Sequence, residues 1–213
     1  LALRHLKLNV WDLTAKSQIG RCMAKYRPVM LPDDALVPEP RVIQIRHAAL
    51  DKPVTLAVEP DPRYPGLGGA SLTDGALGQP TCQSPEWIGF EGDDLEAVVD
   101  LGKATSIRRL GADFLQEIPM GVFLPTELEL AVSDDGKTFR SLVKLKNDPP
   151  AERAAPTSVK TIVFEPKGET ARYVKVRAVN LGTIPERHPG RGRKAWLFVD
   201  EILVNPENVQ PTR

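Results

Sequence analysis

Residues 95–145 constrain the fold more than any other stretch. Leu95-Glu96-Ala97-Val98-Val99-Asp100-Leu101 reads as a strand, Gly102-Lys103-Ala104-Thr105 as a turn, and residues 106–115 as a second strand. Thr126-Glu127-Leu128-Glu129-Leu130-Ala131-Val132 alternates polar and apolar, which puts one face in a core and one in water. Ser133-Asp134-Asp135-Gly136-Lys137 then supplies a turn whose glycine suits a positive φ, and residues 139–145 return. Short strands in succession, joined by tight turns, imply an antiparallel all-β sandwich or barrel.

The same pattern extends over most of the chain. Strands are expected at 53–58, 95–101, 106–115, 126–132, 139–145, 159–164, 171–179 and 195–204. Eight strands is the count of a jelly-roll sandwich. If directions alternate, the short connections 102–105, 133–138 and 165–170 gather at one pole. The long ones, 59–94, 116–125, 146–158 and 180–194, then gather at the other. Recognition residues concentrate on long loops, so the long-loop pole is the candidate binding end. These loops could equally plug the sandwich or pack on a neighbour.

Residues 1–46 differ. Leu1, Leu3, Leu6, Leu8 and Val10 fit neither a clean helix nor a clean strand, and the segment 28–40 carries four prolines. The region reads as an arm, or as the remnant of a preceding domain, able to pack on a neighbouring domain or subunit. Residues 47–205 form the sandwich and 206–213 a tail.

Composition excludes several classes. The formal net charge is zero, with 26% charged and 41% hydrophobic residues, so no global attraction to nucleic acid or anionic membrane is expected. No apolar run approaches the roughly 20 residues of a membrane span. The sequence starts at Leu1 without a basic-then-apolar leader, which suggests a mature form or a fragment. Cys22 and Cys82 show no metal-binding spacing. A bridge and two free thiols are both compatible with them. Only His5, His47 and His188 could serve as a catalytic base of that type, and none sits in a recognisable motif. The chain reads as non-catalytic.

Several motifs, in order, resemble a discoidin domain, also called a coagulation-factor type C domain. They are His47-Ala48-Ala49-Leu50-Asp51-Lys52-Pro53-Val54-Thr55-Leu56, Tyr64-Pro65-Gly66 and Leu72-Thr73-Asp74-Gly75. Trp87-Ile88-Gly89-Phe90-Glu91-Gly92-Asp93-Asp94-Leu95 continues the series, as do Ser133-Asp134-Asp135-Gly136-Lys137 and Ala171-Arg172-Tyr173-Val174-Lys175-Val176. The whole is similar to discoidin-like modules at the C-terminal end of bacterial β-hexosaminidases. The resemblance implies an eight-stranded jelly-roll β-sandwich of the galactose-binding type with an N-terminal extension. It also implies glycan binding without catalysis, an extracytoplasmic location and, in many members, one structural calcium.

The resemblance assigns candidate residues. Asp74 and Glu201 would be side-chain ligands of calcium, with carbonyls near Leu72, Leu77 and Val199 completing the shell. Ala76-Leu77-Gly78 departs from the family pattern there, leaving only Gln79 and Thr81 as further polar residues. Alternatively, Asp74 caps its own turn and Glu201 is a solvated strand residue. For a sugar, an aromatic platform and planar polar groups are needed. Trp87 and Trp196 are the expected platform, with Gln116, Glu117 and Arg193 at the hydroxyls. Phe90, Phe123, Arg187, His188 and Arg191 lie on the same connections. The run His188-Pro189-Gly190-Arg191-Gly192-Arg193-Lys194 could meet an acidic glycan or remain a solvated loop. The other class of function is a structural or assembly subunit of an extracellular complex, which a lack of exposed aromatics at the long-loop pole would favour.

Overall fold

The computed structural model describes residues 44–149 and 155–207. The expected arm, the proline-rich segment, Cys22 and the residues of the tail from 208 onward lie outside these. A division of the chain falls between Pro40 and Arg41. Residues 44–47 already belong to the sandwich, since Ile45 and His47 are buried in it.

Nine strands form among the described residues: β1 Val54–Leu56, β2 Ile88–Glu91, β3 Leu95–Ile107, β4 Leu110–Gln116 and β5 Glu127–Ser133, then β6 Arg140–Lys146, β7 Ser158–Phe164, β8 Glu169–Val179 and β9 Trp196–Val204. All pairings between them are antiparallel. They make two sheets, ordered β1-β3-β8-β5-β6 and β2-β9-β4-β7. The all-β sandwich is therefore as expected, with one strand more than the sequence pattern showed. The addition is β2, whose four residues are too few to display a period of two.

The first sheet follows the alternation that the sequence announces. Leu95, Ala97 and Val99 of β3, Leu128 and Leu130 of β5, and Val174 and Val176 of β8 point into the core. Their neighbours face water and pair across strands, as Arg172 does with Asp100 (2.7 Å) and Lys144 with Glu129 (3.2 Å). Exposed pairs of this kind contribute at most about 1 kcal/mol each, so they mark a wet face more than they hold the sheet. The turn expected at 102–105 is instead a bulge inside β3. Asp100 faces Tyr173 and Thr105 faces Ala171, with Leu101–Ala104 standing opposite Arg172 alone. The chain reverses later, at Arg108 and Arg109.

The second sheet is different: every residue of β4 and of β9 is buried. Leu110, Ala112, Phe114, Leu197 and Val199 face the core between the sheets. Leu115, Trp196 and Phe198 face outward into a second apolar cluster, covered by Tyr64, Cys82 and Trp87. Leu203 and Val163 face outward into a third, covered by Ile45 and Leu77. Residues 59–87, part of the 59–94 connection that the sequence pattern places at the long-loop pole, therefore run across the outer face of the second sheet. The antiparallel order puts the β3–β4, β5–β6 and β7–β8 turns at one pole, and the β4–β5, β6–β7 and β8–β9 connections at the other.

Gly111 and Gly102 separate two reasons for glycine. A Cβ at Gly111 would lie 2.0 Å from the Ile162 carbonyl oxygen, a backbone atom of β7 that cannot step aside. At Gly102 the space is open and only its φ of +80° disfavours a side chain. Gly111→Ala is expected to cost about 3 kcal/mol from overpacking, and Gly102→Ala about 1 kcal/mol from left-handed backbone. Urea unfolding of the two variants measures both values, and equal losses would contradict the pairing of β4 with β7.

Candidate functional site

The long-loop pole is held by two buried polar residues. Asn180, at the exit of β8, donates from Nδ2 toward the carbonyls of Phe90 (3.1 Å), Asp93 (3.2 Å) and Ala195 (3.2 Å). Its Oδ1 accepts from Gly182 N–H at 2.8 Å. His188 accepts from Gly190 N–H on Nδ1 (2.9 Å), and its Nε2 lies 2.7 Å from the Ile118 carbonyl, so the hydrogen sits on Nε2. The ring also meets Phe123 edge-on at 5.9 Å. These bonds tie the β8–β9 connection to the β2–β3 and β4–β5 connections, which satisfies backbone groups that a loop would otherwise leave to water.

Beside this pole, on the outer face of the second sheet, lies a recess of about 350 Å³. Arg63, Tyr64, Gly66, Cys82, Gln83 and Trp87 line it. Its aromatic wall begins with Tyr64, whose ring meets Trp196 at 5.0 Å and Phe198 at 4.7 Å, both edge-on. The Arg63 guanidinium lies 4.5 Å from the centre of the Trp196 ring. Asp61 (2.9 Å) and Glu91 hold that guanidinium in place. The Cys82 thiol is pushed up by burial, and Glu117 anchors the same segment by accepting Cys82 N–H at 2.7 Å.

The structure brings the expected sugar residues near one another but spends most of them on the fold. Trp87 is 1% exposed and donates Nε1–H to the Gln79 carbonyl at 2.8 Å. Packed against Gly78 on one side, it offers no open ring face. Trp196 is 9% exposed under Arg63. Gln116 is buried and donates to the Pro156 carbonyl at 3.0 Å. Phe90 and Phe123 are core, and His188 has both nitrogens engaged. Arg187, Arg191 and Arg193 are exposed. Arg63 carried no period or motif, and Tyr64 stood in the family motif Tyr64-Pro65-Gly66 without being singled out as a site residue. Only their fold-back onto β9 reveals them.

Asp74 and Glu201 do meet, inside a larger buried layer. Ala112 pairs with Ile202 but Phe114 with Val199, so Asp200 and Glu201 together stand opposite Asp113. A bulge of this kind puts two successive side chains on one face. Asp200 and Glu201 are accordingly both buried beneath residues 74–79, alongside Asp113 and His47. Asp74 Oδ1 accepts Ala76 N–H (2.8 Å), Glu201 Oε1 accepts Gly75 N–H (2.5 Å) and Asp200 Oδ2 accepts Gly78 N–H (2.7 Å). Asp74 thus caps its own turn, while Glu201 is wholly buried and not solvated. Asp113 Oδ1, Asp200 Oδ1 and Glu201 Oε2 remain buried without a hydrogen bond. Glu201 Oε2 lies 2.9 Å from His47 Nε2 but is not aligned for one.

Burial pushes both Asp200 and Glu201 up to about 9, with the neighbouring carboxylates adding to the shift. It lowers His47 to about 4. Burial thus opposes charge on both members of the His47–Glu201 contact. Calcium takes hard oxygen donors, and Asp74 and Glu201 bring two carboxylates together here, with Glu201 Oε2 left without a hydrogen bond. Two side chains supply only part of a shell of six to eight oxygens, so backbone carbonyls would have to complete it.

The layer sets a pH dependence in the absence of divalent cations. Asp200 and Glu201 release their protons near 4 when unfolded but near 9 when folded, so the stability they hold below pH 4 is lost as pH rises toward 9. His47 acts oppositely, its contribution being lost as pH falls from 6.5 to about 4. Melting temperature in chelator should therefore fall between pH 7 and 9. Glu201→Gln should flatten that alkaline limb, and an unaltered slope in the variant would count against the buried neutral acid.

The family model described as "F5/8 type C domain" matches residues 57–192. Among curated proteins, no relative matches. Among solved structures, chitosan-binding module 1 of a Paenibacillus sp. IK-5 chitosanase/glucanase is 15% identical. That match covers 75% of this chain and 98% of the module, with a TM-score of 0.47. The Clostridium perfringens module CpGH89CBM32-5, solved with GalNAc-β-1,3-galactose, is 21% identical. There the cover is 72% of this chain and 94% of the module, with a TM-score of 0.43. No helix of the described residues is long and apolar enough to cross a membrane. With the family model matched over more than half of the chain, across the covering segment, strands β2 to β8 and most of the β8–β9 connection, the chain belongs to the F5/8 type C domain family.

Proposed function

We propose that this chain is a non-catalytic carbohydrate-binding module of a larger secreted or cell-surface protein, such as a glycoside hydrolase. It takes its glycan at the recess beside Trp196. One observation carries the reading: the Tyr64–Trp196–Phe198 aromatic stack adjoins a recess whose rim carries a fixed guanidinium. An aromatic ring face suits the apolar face of a pyranose, and the N–H groups of Arg63 suit its hydroxyls. The carboxylates around the recess are committed to structure, Glu117 to Cys82 N–H and Glu91 and Asp61 to Arg63, which supports binding over bond cleavage.

A second reading, docking of a neighbouring domain or subunit, has an observation of its own. Trp87, Phe90 and Phe123 are buried, while the large apolar side chain exposed on the β4–β5 connection is Met120, at 54%. A glycan array separates the two. Under the first reading the chain binds a defined sugar, and Tyr64→Ala and Arg63→Ala each reduce affinity about tenfold or more, as loss of a hot-spot contact would, with the melting temperature held within a few degrees in Arg63→Ala. Binding unchanged in both variants would move the site elsewhere.

The reading includes one structural calcium, with Asp74 and Glu201 as its side-chain ligands and carbonyls near Leu72, Leu77 and Val199 as the remainder. The ion would neutralise a layer that otherwise holds its carboxyls protonated. Calcium at ~100 times its Kd should add about 2.7 kcal/mol to folding stability. Calorimetry with calcium and with chelator reads this directly. Asp74→Ala should abolish the difference, and identical melting in both buffers for the unaltered chain would remove calcium from the account.

A further inference from the structure

We propose that a second recess, at the short-turn pole, is an anion-binding site for the carboxylate or sulfate groups of an acidic polysaccharide. The recess has a volume of about 630 Å³, enough for a sugar ring with its substituent. Arg108 and Arg109 from the β3–β4 turn, Lys167 and Glu165 from the β7–β8 turn, and Asn205 from the end of β9 line it. Three cations and one carboxylate converge there, in a chain whose formal charge is zero overall.

The site is built, not merely charged. Asn205 adopts a left-handed backbone, φ +50°. Its Oδ1 accepts both Arg108 N–H (2.7 Å) and Arg109 N–H (3.1 Å). Its Nδ2 donates to the Ser106 carbonyl at 2.7 Å, and its own N–H donates to the Arg109 carbonyl at 2.9 Å. Four hydrogen bonds from one residue fix the turn that carries both arginines. Glu165 Oε1 receives Arg109 Nε at 3.1 Å and orients that guanidinium. A ligand then meets cations on a backbone already ordered, which lowers the entropy lost on binding.

The chemistry selects the partner. Guanidinium forks match planar carboxylates and the oxygens of sulfate. No aromatic ring is among the lining residues, so the recess offers a nucleic acid no stacking platform. Pro166 and Pro206 add apolar wall against which the face of a sugar ring can lie. The recess is at the opposite pole from Met120 and His188, away from the glycan site proposed above, so either can fail while the other stands.

Binding of the intact chain to polygalacturonate, dextran sulfate and neutral dextran tests the proposal by calorimetry. The first two arms distinguish carboxylate from sulfate as the recognised group. Either acidic polymer should bind, with affinity falling as salt rises, and neutral dextran should not. Arg108 and Lys167 have exposed side chains. The double variant R108S/K167S should therefore keep its melting temperature yet weaken binding about tenfold, the effect of losing charged contacts. R191S/R193S, at the other pole, should leave it unchanged. No binding to either acidic polymer, full affinity in R108S/K167S, or an equal loss in R191S/R193S would overturn the assignment. Duplex DNA bound through the same two residues with equal affinity would overturn the choice of a polysaccharide.

Discussion

A sheet buried on both faces must be covered twice, and in this domain the second sheet meets that demand with two different partners. The five-stranded sheet covers one face through an aliphatic core. Residues 44–47 and 59–87 cover the other, laying Tyr64, Cys82, Trp87, Leu77 and Ile45 on β4 and β9. Fully burying a large aliphatic or aromatic side chain contributes roughly 1.5–3 kcal/mol, against at most about 1 kcal/mol for each exposed ion pair. The covering segment is therefore held mainly by Trp87, Trp196 and Phe198. The aromatic recess is the place where this cover thins near the long-loop pole. Its walls are structural residues first, which is why substitution of Trp87 would disturb the fold before any ligand contact.

The same cover passes over a fault in the sheet. Where β9 carries one more residue than β4, Asp200 and Glu201 both turn outward beneath residues 74–79. An isolated buried carboxylate is too costly to keep charged, so the layer holds protons or recruits a cation. Three backbone N–H groups reach three of its carboxylates, but oxygens of Asp113, Asp200 and Glu201 are left over. Such leftover acceptors are uncommon in folded proteins, and they mark this layer as one where burial works against charge.

The two poles use polar residues in the same way. Asn180 at one end and Asn205 at the other each collect several backbone bonds, fastening loops that share no sheet pairing. A side-chain amide suits this because it both donates and accepts. The result is a pair of pre-ordered ends on one sandwich, one with buried aromatics beneath it and one with exposed cations.

The sequence alone determined the fold class, most strand positions and the family motifs. Alternation in β3, β5 and β8 and turns such as Ser133-Asp134-Asp135-Gly136-Lys137 are local properties that survive in any context. It also singled out Asp74 and Glu201, which do come together. Tertiary structure decided what local pattern cannot encode. The strand β2 is too short to show a period, and the bulge at 102–105 looks like a turn until β8 lies beside it. Trp87 and Gln116 are chemically suited to sugars, but burial against Gly78 and Pro156 spends them on packing and hydrogen bonding. Tyr64, Arg63, Asp113, Asp200 and Asn205 gained their roles only when distant segments closed on the second sheet and its turns. Their significance lies in partners many residues away, and a sequence read in windows holds no record of such pairs.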